Sequence, residues 1–277
     1  RQSLSAEQIE YCERLLCDGP PELRQLMIDI RDAMREHGAC VTNIADLLQE
    51  QAGEDLAKRA LVILSHSIGD VFGPYQAKGF WQGLGVNPDA KALRAESVGY
   101  ISFHMDMDQA TKPPDYISLF CVRPDPYDGG ANLIVDYRKL FERLTPQERE
   151  SLSQVEFSYS RLFGTFGVGE ELNPHPLLQF DEAGHLLLCR YNGKARPDFK
   201  EGSPEARVFD LLEGLFRQVS VSVTLRPGDL LLLDQRRYLH ARESLAQRDP
   251  GQTIPAEQDR LLWQFYLRER PPMTLDQ

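Results

Sequence analysis

Three short stretches hold side chains that can do chemistry. In "FHMDMDQ", residues 103–109, His104 and Asp106 stand two positions apart. In a strand, such a pair faces one side and Met105 faces the other. A neutral imidazole beside a carboxylate can hold a divalent metal. In "RPGDLLLLDQRRYLHARE", residues 226–243, a turn and a buried strand lead to His240. In "DRLLWQFYLRER", residues 259–270, Arg260 opens an apolar strand. An arginine pointing inward there requires an anion, because an unpaired buried charge is costly. Two histidines and one carboxylate leave open positions on non-haem Fe(II) for a co-substrate and O2. A guanidinium grips a carboxylate through two parallel hydrogen bonds. Each piece alone has a plainer reading: a solvated acidic turn, a hydrogen-bonded structural histidine, a surface ion pair. The same ligand set also suits zinc with an open water position, the arrangement of a hydrolase.

These residues need a scaffold that brings distant segments together. Residues 5–18 and 21–37 read as helices, the second with Pro21 at its start and Leu23, Leu26, Met27, Ile30 and Met34 at helical spacing. Gly38 ends it, and "ACVTNI" follows as a strand. A long helical pattern covers about 45–72. From residue 98 the texture changes to short apolar runs bounded by Gly, Pro and Asp, which read as strands. Helical inserts interrupt them at about 136–151, capped by Thr145, and 203–219, capped by Ser203. Many strands with few helices between them predict a sandwich or jelly roll rather than a parallel sheet. The helical N-terminal part, about 1–97, packs on a core of about 98–270, and residues 1–277 read as one domain. Residues 248–258 read as a polar loop.

The totals narrow the partners. The net charge of −11 argues against nucleic acid as the main partner, since binding phosphates requires a basic face. No apolar run approaches the ~20 residues of a membrane helix, and the N-terminal stretch lacks the apolar core of a signal peptide. Five cysteines without a C-x-x-C predict free thiols and a cytoplasmic setting.

From about residue 36 to 268 the chain resembles the Fe(II)/2-oxoglutarate-dependent oxygenases of the taurine dioxygenase and clavaminate synthase-like group. The resemblance rests on an ordered set: "REHGACVTNI", "FHMD", "DGGANLIVDYRKLFERLTPQERESL", "LRPGDLLLLDQRRYLHAR" and "DRLLWQFYLR". It implies a double-stranded β-helix, or jelly roll, with helices packed on it. It implies that His104, Asp106 and His240 bind iron and that Arg260 meets the distal carboxylate of 2-oxoglutarate. The implied chemistry couples oxidative decarboxylation of 2-oxoglutarate by O2 to C–H hydroxylation; desaturation or ring formation stays open. The presence of Asp106 argues against a halogenase, where related proteins leave that ligand position empty. A zinc hydrolase or a non-catalytic jelly-roll binding protein has no need of Arg260 beside the three ligands.

Three departures from the group stand out. Asn132 replaces the threonine whose hydroxyl commonly helps bind 2-oxoglutarate; its amide can donate in that place. The separation from His240 to Arg260 is long, which makes Arg242 and Arg248 rivals for the clamp. Gln264 stands where amino-acid hydroxylases often carry a second arginine. Its neutral amide suggests an amino-acid substrate with a masked carboxylate, including one tethered to a carrier protein. Trp81, Gln82, Asp108 and Arg190 are further candidates for substrate contact, each with a packing or solvated alternative. His37, His66, His175 and His185 read as structural or loop residues.

Overall fold

The computed structural model describes residues 2–48, 53–73, 79–87, 90, 94–108, 110, 112–153, 155–157, 175–246 and 254–269. A two-residue strand, β1 (Gln2–Ser3), precedes helix α1 (Ala6–Asp18). Ser5 caps α1 by accepting from Gln8 N at 3.2 Å, and the Gln8 side chain accepts from Ser5 N at 2.9 Å. Helix α2 (Pro21–His37) ends at Gly38, whose φ of +69° is the left-handed turn a C-terminal glycine supplies. Strand β2 (Ala39–Asn43) follows directly.

The helical pattern at 45–72 breaks into three pieces. They are a 3-10 turn (Ala45–Leu47), helix α3 (Glu54–Ser65) and strand β3 (Gly69–Gly73). Apolar spacing at 57, 61 and 64 carries α3, but at Val71 and Phe72 pairing with a neighbouring strand wins over the helical pattern. The chain then runs through β4 (Gln82–Leu84), β5 (Ile101–His104), β6 (Tyr116–Arg123) and β7 (Asn132–Asp136). The insert expected at 136–151 is two helices, α4 (Tyr137–Phe141) and α5 (Pro146–Ser153). Thr145 and Glu148 close a reciprocal cap between them, with Glu148 N donating to Thr145 Oγ1 and Thr145 N to Glu148 Oε2. Short strands β8 (Glu156–Phe157), β9 (His175–Pro176), β10 (Leu178–Phe180) and β11 (Leu186–Cys189) lead to a 3-10 turn, Gly193–Asp198. Helix α6 (Pro204–Val219) is capped by Ser203, and β12 (Val221–Val223), β13 (Asp229–Asp234), β14 (Tyr238–Arg242) and β15 (Leu261–Glu269) complete the fold.

Two antiparallel sheets face each other, as expected of a jelly roll. The larger runs β1-β3-β15-β6-β13-β2, with β4 also on β15; the smaller runs β12-β7-β14-β5. Alternation along the strands sorts the side chains into layers. In β15, Trp263, Phe265 and Leu267 pack outward with α2 and α3 residues such as Met27, Ile30 and Leu61. Leu262 and Tyr266 pack inward with Leu119, Cys121 and Leu231. In the smaller sheet, Phe103, Leu133, Val135, Leu239 and Ala241 pack outward with Phe209 and Phe216 of α6. That parity leaves Asn132, Ile134, His104, His240 and Arg242 on the face toward the larger sheet. The site therefore lies between the sheets. Among the described residues no helix is long and apolar enough to cross a membrane, and all five cysteines are free thiols.

Candidate metal centre

His104 ends β5 and His240 sits mid-β14, and the two are register partners across the sheet. Their ring centroids lie 4.2 Å apart. Asp106 joins them by a different route from the one expected. The strand stops at His104, and residues 106–108 form a turn in which Met107 takes a φ of +56°. That left-handed conformation costs an L-residue roughly 1–2 kcal/mol. It is held by Gln235, fully buried, whose Oε1 accepts from Asp106 N at 2.7 Å and whose Nε2 donates to the Pro114 carbonyl at 3.0 Å. The turn, not strand alternation, aims the carboxylate. Asp106 Oδ1 lies 3.4 Å from His104 Nε2, and Oδ2 lies 3.9 Å from His240 Nε2.

One ligand atom from each of His104, Asp106 and His240 falls within 4.8 Å of the others. His104 Nδ1 sits 2.8 Å from the Ser102 carbonyl, which places its proton there and leaves the Nε2 lone pair toward Asp106. Burial, with the Lys194 charge, lowers the His104 pKa; burial and the neighbouring His104 push His240 down to about 3. Burial alone would raise Asp106, but at acid pH a hydrogen bond from protonated His104 and the charge of both protonated histidines outweigh it and hold the carboxyl well below the usual range. Two neutral imidazoles and an ionised carboxylate converge, which is the donor set that fits Fe(II) with open positions.

The opposite sheet supports the carboxylate. Gln264 lies on the inward face of β15, and its Nε2 donates to Asp106 Oδ2 at 2.7 Å. Tyr266 OH adds a longer contact to the same oxygen at 3.3 Å. The Gln264 amide is therefore engaged by Asp106, one of the candidate ligands. Gln82, across the β4–β15 pairing from Gln264, carries a buried Nε2 that has no hydrogen-bond partner among the described residues.

Arg260 precedes β15 and is 5% exposed. Among the described residues its guanidinium has no hydrogen-bond or ion-pair partner. Burial lowers its pKa, opposed by Cys121, Asp125 and Asp259. Gly130, with a φ of +72°, passes so close that an added Cβ would lie 3.5 Å from Arg260 Nε and 2.6 Å from Leu245 Cδ2. The glycine-rich turn thus shapes the arginine's berth. The rival Arg242 is already engaged: Nη2 donates to the Ser97 and Gly99 carbonyls at 2.6 and 2.7 Å, and Nη1 to the Glu243 carbonyl at 3.0 Å. Arg248 lies outside the described residues. Asn132 is buried opposite Arg242 in the β7–β14 register, with its Nδ2 3.5 Å from the Val223 carbonyl.

Trp81 is a correction. Its ring packs edge-on against Phe265 at 4.7 Å and Trp263 at 6.2 Å, on the outer face of the larger sheet beneath Lys58. Those odd-numbered β15 residues point away from the His104, Asp106 and His240 trio, so Trp81 packs in the core. Arg190 is buried and donates to the Asp108 carbonyl and, at 2.9 Å, to the Ala110 carbonyl, fastening the turn that carries Asp106. Asp108 is 4% exposed, and burial pushes its carboxyl up to about 7. His37 is exposed beside Glu36, His185 pairs with Asp181, and His66 is buried near Asp70. The His175 side chain and the polar loop through residue 253 lie outside the described residues.

Sequence reasoning missed four contributors. Gln235 was seen only as part of a strand-and-turn motif. Asn192 is bridged to His104 and donates to Asp108 Oδ1 at 3.0 Å. Lys194 follows it, and its charge acts on all three ligands. Glu213 of α6 accepts from Tyr100 OH at 2.6 Å, Tyr191 OH at 2.9 Å and Phe103 N at 3.3 Å. It fixes the end of β5 and the segment that approaches it. An added Cβ on Gly193 would lie 2.8 Å from Glu213 Oε2 and 2.6 Å from Ser102 Cβ, so that approach requires glycine. Only the N-x-K spacing after "LCRY" could have hinted at this wall.

A jelly roll that brings two histidines and an aspartate together between its sheets has the donors of a mononuclear metal site. The chain is a member of the taurine catabolism dioxygenase TauD, TfdA family, which matches residues 19–266. It is 28% identical over 161 residues to L-lysine 3-hydroxylase of Catenulispora acidiphila, covering 54% of this chain and 43% of that protein. It is 28% identical over 187 residues to clavaminate synthase 2 of Streptomyces clavuligerus, covering 66% and 54%. The chain thus spans about half the length of these curated relatives. An asparagine oxygenase solved with Fe(II), 2S,3S-3-hydroxyasparagine and succinate shares the fold at a TM-score of 0.70 and 21% identity, over 95% of this chain and 84% of that one.

Proposed function

We propose that this protein is an Fe(II)- and 2-oxoglutarate-dependent oxygenase that hydroxylates a C–H bond of an amino acid or amino-acid derivative, free or carrier-bound. The observation that carries this reading is Arg260: a buried guanidinium without a hydrogen-bond or ion-pair partner among the described residues, in the same interior as the candidate ligand trio. The trio alone would serve zinc and a hydrolytic water equally well. A buried unpaired cation is costly without an anion to meet it, and 2-oxoglutarate brings a second carboxylate to a metal that its keto-acid end chelates. A non-catalytic binding protein has the same difficulty explaining Arg260.

In this reading His104, Asp106 and His240 hold the iron, each in the protonation state that ligation requires. Iron with 2-oxoglutarate and O2 supplies the oxidising power, with succinate and CO2 as co-products. The chain contributes orientation. Gln264, Tyr266 and Gln235 fix Asp106, Ser102 fixes the His104 tautomer, and Arg260 with Asn132 receives 2-oxoglutarate. The inner layer of Leu119, Leu231 and Leu262 limits water around it. The names of the relatives support amino acids as the substrate class, and the free thiols accord with a cytoplasmic setting for a single oxygenase domain. The test is succinate formation from 2-oxoglutarate, screened against free and carrier-bound amino acids. The reading predicts Fe(II)- and O2-dependent succinate matched by a hydroxylated product, lost in Arg260→Met. Zinc-supported hydrolysis with no succinate would replace it.

A further inference from the structure

The oxygenase reading does not say what aims Arg260. Its guanidinium has no hydrogen-bond or ion-pair partner among the described residues. Nothing at the head of the side chain fixes it before an anion arrives. A long side chain that must be ordered on binding weakens the complex. A clamp that binds well is therefore held beforehand by its backbone and its walls. Both are fastened from the end of β6 and the loop that follows it.

The β6–β15 ladder slips by one residue there. Leu262 pairs with Cys121 but Leu261 pairs with Arg123, which leaves Val122 as the extra residue of a bulge. A bulge of this kind re-aims the side chains beside it. This one sets Arg123 opposite the neighbour of Arg260. Arg123 Nε donates to the Asp259 carbonyl at 2.9 Å and Nη2 to the Ala256 carbonyl at 3.0 Å. The turn that leads into Arg260 is thus tied down at two points. Asp125, two residues further on, is 2% exposed. Its Oδ2 accepts from Gly129 N at 3.1 Å and from Ala246 N at 2.8 Å. One oxygen stitches the glycine turn to the segment that leaves β14, and Gly130 N adds a bond to the Ser244 carbonyl at 3.0 Å. The approach is tight: a Cβ on Gly129 would lie 2.0 Å from Ala246 N. The stitch keeps Gly130 against the Arg260 side chain.

We propose that Arg123 and Asp125 are positioning residues for the Arg260 clamp. Arg123 fixes the backbone that carries the arginine, and Asp125 fixes the glycine-turn wall beside its guanidinium. Both act through Arg260 rather than on the ligand, and the assignment rests on the oxygenase reading. The three metal-binding candidates sit on other segments, so their hold on iron is independent of both anchors.

The test measures two affinities of anaerobic protein. Fe(II) is followed by competition with a chromophoric chelator, and 2-oxoglutarate by the visible band of its chelate. Arg123→Gln and Asp125→Ala should each weaken 2-oxoglutarate roughly 2- to 10-fold, the cost of ordering one long side chain on binding, and leave Fe(II) affinity as in the wild type. Asp125→Asn keeps an oxygen for both amides and should bind 2-oxoglutarate at least as tightly as the wild type. Arg123→Lys should recover part of the loss. In an Arg260→Met background neither substitution should weaken 2-oxoglutarate further, because the group they position is gone. A merely structural role would lower the thermal midpoint and leave that coupling at zero. The assignment is overturned if both variants bind 2-oxoglutarate as the wild type does, if Fe(II) affinity falls in step, or if the losses persist undiminished in Arg260→Met. Where Asp125→Ala yields no folded protein, Arg123→Gln decides by the same criteria. A metal-loaded wild type without the band overturns the oxygenase reading and this assignment with it; the other failures strike this assignment alone.

Discussion

Replacing Gln264 by leucine removes the shorter of two hydrogen bonds to Asp106 Oδ2, the one of 2.7 Å, and leaves the Tyr266 contact of 3.3 Å. Leucine is close in volume and keeps β15 apolar, so the fold persists. A hydrogen bond to an ionised acceptor contributes about 1.5–3 kcal/mol. At about 1.4 kcal/mol per tenfold, metal affinity should fall roughly 10- to 100-fold. Tyr266→Phe removes the longer contact and should cost less, about threefold. Anaerobic competition of Fe(II) or Co(II) between the protein and a chromophoric chelator measures both. If Gln264→Leu kept its metal affinity and instead raised the KM of the substrate, the amide would be facing substrate, and the assigned role of Gln264 would be wrong.

Other substitutions separate scaffold from site. Arg242→Met should lower the thermal midpoint, because the Ser97 and Gly99 carbonyls lose their donor, while 2-oxoglutarate binding measured by calorimetry persists; loss of that binding would transfer the clamp to Arg242. Glu213→Ala strips two tyrosine hydroxyls and Phe103 N of their acceptor and should destabilise by roughly 2–4 kcal/mol in urea unfolding. Trp81→Leu should cost roughly 1–3 kcal/mol of stability with metal and amino-acid affinity unchanged, and altered substrate affinity there would contradict its outward placement.

That His104, Asp106 and His240 come together was legible because metal chemistry restricts residue type, and because three distant motifs occurred in an expected order. The strands were legible from their short apolar runs, and parity correctly put Gln264 on the inward face. Parity could not say that Asp106 lies beyond the strand in a left-handed turn, since His-x-Asp reads the same in both. Helical spacing misled at 69–73, where cross-strand pairing with β15 decides the outcome. Trp81 was ambiguous because an aromatic between glycines carries no signal of which sheet face it will cover. Asn192 reaches His104, and Glu213 reaches Phe103 N, only through tertiary contact across a sheet and a helix, with no periodicity to mark them. The hydrogen bond from Gln264 to Asp106 was illegible for a related reason: the two are 158 residues apart.

The central claim is that the ligand trio and Arg260 form one site for iron and 2-oxoglutarate. Anaerobic titration of the Fe(II)-loaded protein with 2-oxoglutarate, followed by visible absorption, tests it most directly. The account predicts a weak charge-transfer band that saturates at one 2-oxoglutarate per iron, disappears in His104→Ala and requires far higher 2-oxoglutarate in Arg260→Met. A metal-replete wild type without the band, or a band unchanged in both variants, would contradict it.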